Sequence, residues 1–353
     1  MTKMRILFLP NSYDSPPSRY RIWQFVDPLR KLGHEVTVRV IWPERNWTPS
    51  LKFGLFKPVI AFSGTLLQRI SALWITRDIE HFDIVMMNRD ILPSIRFSSI
   101  ESWLCKRNPR IIFDFDDAIF LGPRNQKLKK ILKNFALLTP GNSYLAEFAR
   151  SVNGNVRIWP TVIDTDAYQP LSHRSTGKIR IGWSGSVSTV KYCLPLLENV
   201  ITKLSSIEDF EFVVITKSDP KIDWKNVNYR FVPWTPETEV VGIQQLDIGL
   251  MPLEDTPFQR GKCGLKAIQY MAAGIPALVS PVGVNAEIVI HGRQGFHCRT
   301  EDDWIKYMQL LIHDEILRKK LGQAARERVV NNYSINSIIH QMVREFQIIS
   351  QRR

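Results

Sequence analysis

The sequence predicts an α/β protein made of two doubly wound domains, each with a parallel sheet. Short apolar runs typical of buried strands alternate with helical patterns, and the same alternation restarts after residue 177. The chain of 353 residues is long enough for two domains of ordinary size. Because such sheets bind ligands at the carboxyl ends of their strands, we expect the two domains to face a cleft there.

The first series of elements begins with the apolar run Arg5–Leu9, which predicts a buried strand. Tyr20–Leu32 has an amphipathic helical pattern that ends at Gly33, a residue suited to a helix C-terminus. The remaining strands are predicted at Glu35–Val40, Asp83–Met87, Arg110–Phe115 and Val156–Trp159, and the helices near 93–107, 126–135 and 143–152.

The second series follows Pro160–Gly177, a segment with prolines and serines that is the best candidate for a linker. We therefore predict domains at residues 1–165 and 166–335, followed by a C-terminal segment, 336–353. The second series comprises a strand at Ile179–Trp183, a helix at 190–205, and strands at Phe210–Ile215, Asn228–Val232, Asp247–Met251 and Ala277–Val279.

Two helices are predicted near the C-terminus. Thr300 and Asp303 have the spacing of a capping box before a helix at Trp304–Ile312. Because the apolar stripe of the last helix must pack against something, we expect this helix to cross back to the first domain. The stripe follows Ser334 and consists of Ile335, Ile338, Ile339, Met342, Phe346 and Ile349.

Composition and charge argue against several classes of protein. The four cysteines form no C-x-x-C pair, which argues against a disulfide framework and against a structural zinc site. The first apolar run is too short for a signal peptide, and no run approaches the roughly 18–20 apolar residues that span a bilayer. Neither a P-loop nor a G-x-G-x-x-G fingerprint is present. We therefore expect a soluble, cytoplasmic protein.

The formal net charge of +13 lies mainly in the first half of the chain and favours an anionic partner. No ordered basic and aromatic module points to nucleic acid. Residues 51–76 combine large apolar side chains with Lys52, Lys57 and Arg69, which is typical of a segment that docks to an anionic membrane surface. The alternative is a loop and helix that pack on the domain's own sheet.

The stretch 260–276, rich in glycine and lysine, predicts an anion-binding site. If a helix begins near Lys262, then Lys262 and Lys266 lie on one face of its first turns. Gly264 permits close approach of a ligand, and Arg260 adds a third positive charge. Lysines beside the free N–H groups of a helix N-terminus suit a phosphate or diphosphate.

Acidic residues end a strand of the first domain. Asp114 and Asp116 share one face of the strand end, and Asp117 begins the following loop. Such a pair could bind a divalent metal ion. The other interpretations are that the acids orient an acceptor hydroxyl, that they pair with Arg19 or Arg21, or that they are structural.

The segment Ser18–Arg21 opens the first connection between strand and helix. We expect Ser18 to cap the helix, and Arg19 and Arg21 to bind a phosphate or an anionic acceptor. Exposed arginines without a ligand are the alternative.

Residues 262–276, KCGLKAIQYMAAGIP, followed by SPVGVNAEIV, resemble the nucleotide-sugar-binding region of the family 4 glycosyltransferases. The resemblance implies the GT-B fold, in which two Rossmann-like domains face a cleft, and a nucleotide-sugar donor with no metal or other cofactor. Further matching pieces occur in order along the chain, at Ser18–Arg21, Asp114–Asp117, Pro160–Asp164, Ile181–Ser186 and Asp247–Leu253.

The chain departs from the family at its best-known carboxylates. Members of the family usually have two glutamates eight positions apart, and Gly261 and Gln269 stand at those positions here. The sequence is similar to a branch of the family with lysines on this helix. The family's arginine and lysine after the first strand of the second domain correspond to Ser186 and Lys191.

The resemblance implies a role for each matching residue. Lysines 191, 262 and 266 would contact the diphosphate, Gln269 would hydrogen-bond the ribose as a neutral amide, and Glu287 would lie near the nucleoside. The predicted catalytic residues are Asp116, Asp117 and Lys266, and the acceptor side consists of Ser18, Arg19 and Arg21. The complete predicted donor site is Gly185, Ser186, Lys191, Arg260, Lys262, Gly264, Lys266, Gln269 and Glu287.

Together these features predict a hexosyl- or N-acetylhexosaminyltransferase that moves a sugar to a glycan or lipid-linked acceptor. The resemblance implies retention at the anomeric carbon, and the basic first domain favours surface-polysaccharide or lipopolysaccharide synthesis at the inner membrane face. Two alternatives stay open. One is a non-catalytic homologue that binds sugar nucleotides as a partner or regulatory protein, and the other is a metal-dependent enzyme that uses Asp114 and Asp116.

Overall fold

The computed structural model describes residues 2–41, 71–91, 99–171 and 177–352. Contacts divide the chain into two units, of which unit 1 comprises Met1–Pro160 and Ile338–Arg353, and unit 2 comprises Thr161–Ser337. Each unit contains one parallel sheet with connecting helices, which confirms the predicted α/β class. Lys52, Lys57 and Arg69 lie outside the described residues, as does the start of the helix predicted near 93–107.

Unit 1 has a five-stranded parallel sheet in the order β2-β1-β3-β4-β5. Every residue of β3 and β4 is buried, and all of them except Asn88 and Asp114 are apolar, as is usual for central strands of parallel sheets. The strands are β1 Arg5–Leu9, β2 Glu35–Val38, β3 Ile84–Asn88, β4 Ile111–Phe115 and β5 Leu137–Pro140.

The strand predicted at Val156–Trp159 is wrong, because the fifth strand of this sheet is Leu137–Pro140. Val156 forms only an isolated bridge to Leu138, although Trp159 also donates its N–H to the carbonyl of Pro140 at 3.0 Å. Both segments are short and apolar, and periodicity alone cannot decide which of two such runs forms the strand.

The single helix predicted at Tyr20–Leu32 is divided into two. The backbone leaves the helical region at Ile22, with φ −128°. Pro28 then lies in the first turn of the second helix, where its missing N–H breaks no hydrogen bond. The helices of unit 1 ahead of the linker are α1 Pro16–Arg21, α2 Val26–Lys31, α3 Ser99–Arg107, α4 Asn125–Leu132 and α5 Ser143–Arg150, and residues 71–75 are also helical.

Unit 2 has a six-stranded parallel sheet in the order β11-β10-β9-β6-β7-β8. The edge strand β11 is absent from the sequence prediction. It requires Gly295, since a Cβ there would lie 1.9 Å from the carbonyl oxygen of Ala277. The strands are β6 Ile179–Ser184, β7 Phe210–Thr216, β8 Tyr229–Pro233, β9 Ile248–Met251, β10 Ala277–Val279 and β11 Gly295–His297.

Among the helices of unit 2, the one predicted at 190–205 is interrupted by a 3-10 turn at Leu194–Leu197, which contains Pro195. The capping box at Thr300 and Asp303 is confirmed. The helices are α6 Val187–Cys193, α7 Glu198–Ser205, α8 Glu239–Gln244, α9 Pro257–Arg260, α10 Leu265–Ala272, α11 Asn285–Ile288, α12 Glu301–His313 and α13 Glu315–Asn332.

The last helix, α14 Ile335–Ser350, belongs to unit 1 from Ile338 onward. Its apolar stripe is buried from Ile338 onward, and the ring of Phe346 meets that of Trp159 edge-on at 6.0 Å between centroids. The segment after Pro160 packs within unit 2, where Ile163 bridges to Ser334. No helix in the described part of the chain is long and apolar enough to cross a membrane.

Candidate functional site

The N-terminus of α10 is formed by Gly264, which has a left-handed backbone with φ 69°. As the N-cap residue, Gly264 has no side chain that could cap this terminus. The helix therefore begins after Gly264, and the prediction that it begins near Lys262 is wrong. Lys262 lies in the preceding loop, whereas Lys266 is in the first turn and Gln269 lies three residues further along the same face.

Gly264 is confined by its neighbours as well as by its conformation. A Cβ at this position would lie 2.1 Å from Cδ1 of Ile288 and 3.4 Å from Oδ1 of Asn285, both in α11. Glycine thus brings the loop against α11, and as the N-cap residue it contributes no side-chain acceptor to the first N–H groups of α10.

Both lysines near this terminus lie over aromatic rings. The Nζ atom of Lys266 is 5.6 Å from the ring centroid of buried Trp183, and Nζ of Lys262 is 4.6 Å from that of Phe258. Gly185 completes this group, because a Cβ there would lie 2.4 Å from the Trp183 ring and 2.9 Å from Cε of Lys266. The helix dipole and two ammonium groups thus favour an anion at this position.

The side chain of Tyr270 anchors α10 on the sheet. Its hydroxyl accepts the N–H of Ser184 at 2.8 Å and donates to the carbonyl of Leu250 at 3.3 Å. Burial raises the pKa of this hydroxyl well above its usual range, so it stays protonated and can donate. Gly249 admits the ring, since a Cβ there would lie 2.3 Å from it.

Gln269 is buried, with 3% of its surface exposed, and it takes part in a chain of hydrogen-bonded polar side chains. Its Nε2 donates to the hydroxyl of Tyr168 at 2.8 Å, and this hydroxyl lies 3.3 Å from Oε2 of Glu239. The indole N–H of Trp234 donates to Oε1 of Glu239 at 3.0 Å. Sequence reasoning missed Tyr168, Glu239 and Trp234, because Tyr168 lies far along the chain from the other two and all three lie far from Gln269.

Other predicted donor residues make different contacts. Arg260 donates to both carboxylate oxygens of Asp255, at 2.6 and 3.0 Å. Lys191 is exposed in the last turn of α6, with its Nζ 4.7 Å from the ring of Tyr192. Ser186 is the N-cap residue of α6, and Glu287 is exposed in α11. A donor contact for each of these residues stays a prediction.

In unit 1, Arg21 is buried against Asp114 at the end of β4. Its guanidinium donates to both carboxylate oxygens and to the carbonyls of Trp159 and Thr139. Asn88 also donates to Asp114, at 2.9 Å. The predicted pairing of the acidic run with an arginine is confirmed for Asp114, and the burial of Arg21 contradicts its predicted role in binding an anionic acceptor.

The prediction that Ser18 caps the first helix is also wrong. Ser15 is the N-cap residue, and its hydroxyl accepts the N–H of Ser18 at 3.4 Å. Two prolines, Pro16 and Pro17, occupy the start of the helix, where residues without an N–H are tolerated. Ser18 is fully buried, and Arg19 is partly exposed, with its guanidinium 5.2 Å from the ring of Tyr20.

Arg89, which sequence reasoning missed, holds the other two acids. Its Nη2 donates to Asp116 at 2.8 Å and to Asp117 at 2.6 Å. Burial by itself would lower the pKa of Arg89, but the charges of the two carboxylates outweigh it and raise that pKa above its ordinary value. Arg89 has φ 69°, a left-handed conformation that costs a side-chain-bearing residue about 1–2 kcal/mol.

The acidic run does not fit a metal site. Asp114 and Asp116 are each paired with an arginine, whose positive charge opposes the binding of a cation. In the described ranges, no group of three or more His, Cys, Asp or Glu side chains is arranged to hold a metal ion. The metal-dependent alternative therefore has no support from this arrangement.

Residues 226–328, which include α10 and its lysines, match the model of the family described as glycosyl transferases group 1. The chain is similar to a glycogen synthase from Mycobacterium tuberculosis, with 27% identity over 112 residues. This alignment covers 31% of the chain and 26% of the glycogen synthase, so the chain spans about a quarter of the length of that relative.

Two solved structures share the fold over nearly the whole chain. Sucrose-phosphate synthase from Thermosynechococcus elongatus has a TM-score of 0.71 at 14% identity, covering 98% of this chain and 99% of that one. HepE from Anabaena, solved in complex with UDP, has a TM-score of 0.68 at 12% identity, covering 98% and 100%. The predicted GT-B fold is thereby confirmed.

Replacing Arg21 with Met should destabilise unit 1 by about 3–5 kcal/mol, because the charge of Asp114 is left buried without its partner. Urea unfolding followed by circular dichroism measures this loss. Lys3→Met is the matched control, since Lys3 and Glu35 form an exposed pair, 69% and 56% exposed, that contributes less than about 1 kcal/mol. Equal effects of the two variants would contradict the importance of the buried pair.

Replacing Gly264 with Ala should cost about 3 kcal/mol, from the left-handed backbone together with the overlap with Ile288. Gly292→Ala is the control, because Gly292 also has positive φ, 75°, but no atom lies within 4 Å of an added Cβ. The control should cost about 1–2 kcal/mol in the same unfolding experiment. A loss no larger at Gly264 than at Gly292 would refute the close packing against α11.

Proposed function

We propose that this protein is a nucleotide-sugar-dependent glycosyltransferase that binds the diphosphate of its donor at the N-terminus of α10. One observation carries the proposal, namely that this terminus, with glycine as its N-cap residue, lies beside two lysines whose ammonium groups lie over aromatic rings. The match of residues 226–328 to the glycosyltransferase family model supports it, because that segment contains both lysines.

The charges at this terminus suit the leaving group of such a reaction. When the bond between the anomeric carbon and the diphosphate breaks, negative charge grows on the departing phosphate oxygen. The dipole of α10 and the ammonium groups of Lys262 and Lys266 stabilise that charge. This stabilisation is the largest electrostatic contribution to catalysis that we expect in this reaction. The acceptor oxygen bonds to the anomeric carbon, and its proton passes to the departing phosphate if the reaction proceeds with retention.

The donor is proposed to be a UDP-sugar that carries a hexose or an N-acetylhexosamine. UDP is the first nucleotide to test, because HepE, which shares the fold, was solved with UDP. In this proposal Gln269 meets the ribose, Glu287 lies near the nucleoside, and Lys191 adds a diphosphate contact.

The acceptor is proposed to be a glycan or a lipid-linked sugar, bound through Asp116 and Asp117 in unit 1. Since one guanidinium of Arg89 holds both carboxylates, they are better suited to orient acceptor hydroxyls than to remove a proton. We place the reaction in surface-polysaccharide or lipopolysaccharide synthesis, in the cytoplasm beside the inner membrane.

A second candidate is a non-catalytic protein that binds sugar nucleotides as a partner or regulator. Gly261 and Gln269 favour it, because they replace both glutamates that the related glycosyltransferases usually have. This candidate predicts donor binding without transfer, so an assay for nucleotide release in the presence of acceptor extracts separates it from the enzyme.

The donor site can be tested by thermal unfolding in the presence of UDP, GDP, CDP and their common sugars. One nucleotide at about one hundred times its Kd should raise Tm by about 5 °C or more. Lys266→Ala should weaken the binding of that nucleotide at least about tenfold, because the substitution removes a charge-assisted hydrogen bond to the diphosphate.

Lys320→Ala is the matched control, because it removes the same charge from an exposed position of α13. This variant should keep the full nucleotide-dependent shift. A protein that responds to none of the nucleotides, or equal binding by Lys266→Ala and the wild type, would overturn the proposed donor site.

We also propose that unit 1 docks to an anionic membrane surface. The described end of the 51–76 segment exposes Trp74, 66% exposed, with the guanidinium of Arg77 4.4 Å from its ring. On α3, Trp103 is 38% exposed with Arg107 4.7 Å from its ring, and Arg107 donates to the carbonyl of Arg77 at 2.6 Å. Exposed tryptophans accompanied by arginines are typical of surfaces at the lipid interface.

Replacing both Trp74 and Trp103 with Ala should reduce sedimentation with phosphatidylglycerol liposomes at least about fivefold, because the interfacial side chains are lost. Ile316→Ala is the control, since Ile316 is 82% exposed in unit 2. Unchanged sedimentation of the double variant, or equal binding to phosphatidylcholine liposomes, would speak against this surface.

A further inference from the structure

We propose that Glu239 and Tyr168 are positioning residues that determine which end of the Gln269 amide faces the bound nucleotide. The inference rests on the proposed function, which places the ribose at Gln269. The carboxylate of Glu239, on α8, acts through Tyr168. It thereby presents the carbonyl oxygen of Gln269, and not its NH₂ group, to a ribose hydroxyl.

The direction of each hydrogen bond in this chain follows from the chemistry of its members. The indole of Trp234 only donates, and the carboxylate of Glu239 only accepts, so Glu239 accepts at both ends of its carboxylate. Tyr168 has a single hydroxyl proton, which it donates to Oε2 of Glu239. Its oxygen is therefore left to accept, and it accepts from Nε2 of Gln269 at 2.8 Å.

A side-chain amide has its donor and its acceptor on opposite branches. With Nε2 held on Tyr168, the carbonyl oxygen of Gln269 must point away from Tyr168. Lys266 lies one turn earlier on the same face of α10. The direction of the hydrogen bonds, which is set at Glu239, thus places the carbonyl oxygen of Gln269 as an acceptor beside the proposed diphosphate site.

The surroundings hold this arrangement in place. Tyr168, Glu239 and Gln269 are only 3%, 6% and 3% exposed, and buried hydrogen bonds are strong and costly to reverse. Arg326 on α13 donates to the carbonyls of Tyr168 and Ala272, at 2.8 and 2.7 Å. It thereby ties the backbone of Tyr168 to the end of α10.

The same chemistry accounts for glutamine at position 269. A glutamate there would face Glu239 across Tyr168, whose single proton can satisfy only one of two carboxylates. Two buried carboxylates would also repel one another. Because Glu239 supplies the carboxylate, this series of hydrogen bonds requires a neutral side chain at position 269 that donates to Tyr168.

The orientation of the Gln269 amide can be tested with a nucleotide whose ribose cannot donate a hydrogen bond from its 2′ position. The experiment measures Kd for UDP, GDP, CDP and ADP and for their 2′-deoxy-2′-fluoro analogues, and takes the ratio of the two Kd values for the diphosphate that binds. Fluorine accepts weakly and never donates, so wild-type protein should bind the fluoro analogue about tenfold more weakly.

Glu239→Gln should lower that ratio to about one, within a factor of about two. The amide introduced at position 239 would keep its carbonyl on Trp234 and donate its NH₂ to Tyr168, which would then donate to the carbonyl of Gln269. The amide of Gln269 would rotate by about half a turn, so that its NH₂ group, a hydrogen-bond donor, faces the ribose. The double variant Glu239→Gln/Gln269→Glu should restore the ratio, because a carboxylate at 269 accepts from both Tyr168 and the ribose.

Glu315→Gln is the matched control, since it removes a carboxylate from an exposed ion pair with Lys319 and should leave the ratio unchanged. If the ratio of the two Kd values stays at about tenfold in Glu239→Gln, whatever the change in Tm, the hydrogen bonds of Glu239 and Tyr168 have a structural role only. That result would overturn the inference. A double variant that does not recover the ratio would also overturn it. If no nucleoside diphosphate binds the wild type, the proposed function fails together with this inference.

Discussion

The contact between Tyr270 and Gly249 determines where α10 lies on the sheet of unit 2. The ring fits against β9 only because position 249 has no side chain, and the hydroxyl joins the end of β6 to β9 through Ser184 and Leu250. Trp183, at the end of β6, then lies beneath Lys266. The helix terminus, its lysine and the aromatic ring under that lysine therefore depend on one buried tyrosine.

The arginines beside the acidic run of unit 1 and the lysines beside α10 of unit 2 have different neighbours. In unit 1, Arg21 and Arg89 are each held by carboxylates at the carboxyl ends of the strands. In unit 2, the ammonium groups of Lys262 and Lys266 lie over the aromatic rings of Phe258 and Trp183. The dipole of α10 adds to these two positive charges and favours an anion at this terminus.

Under the proposed function, glutamine at position 269 does not by itself remove carboxylate chemistry from the donor site. Glu239 supplies a carboxylate from another helix, and Tyr168 connects it to position 269. Tyr168 and Trp234 each donate to this carboxylate, and Gln269 donates to Tyr168, which makes a connected buried network. The absence of the usual glutamates is thus compatible with an active enzyme as well as with a protein that only binds.

Periodicity and capping are local properties, so the order of amino acids was enough to predict the two parallel-sheet domains, the capping box at Thr300 and the glycine- and lysine-rich stretch. The start of α10 and the roles of Ser18 and Arg21 depended on the folded chain, since packing against Ile288 and Asp114 decides them. Arg89, Glu239 and Tyr168 likewise carry no local signal. They lie far along the chain from their partners, and only folding brings them within hydrogen-bond distance.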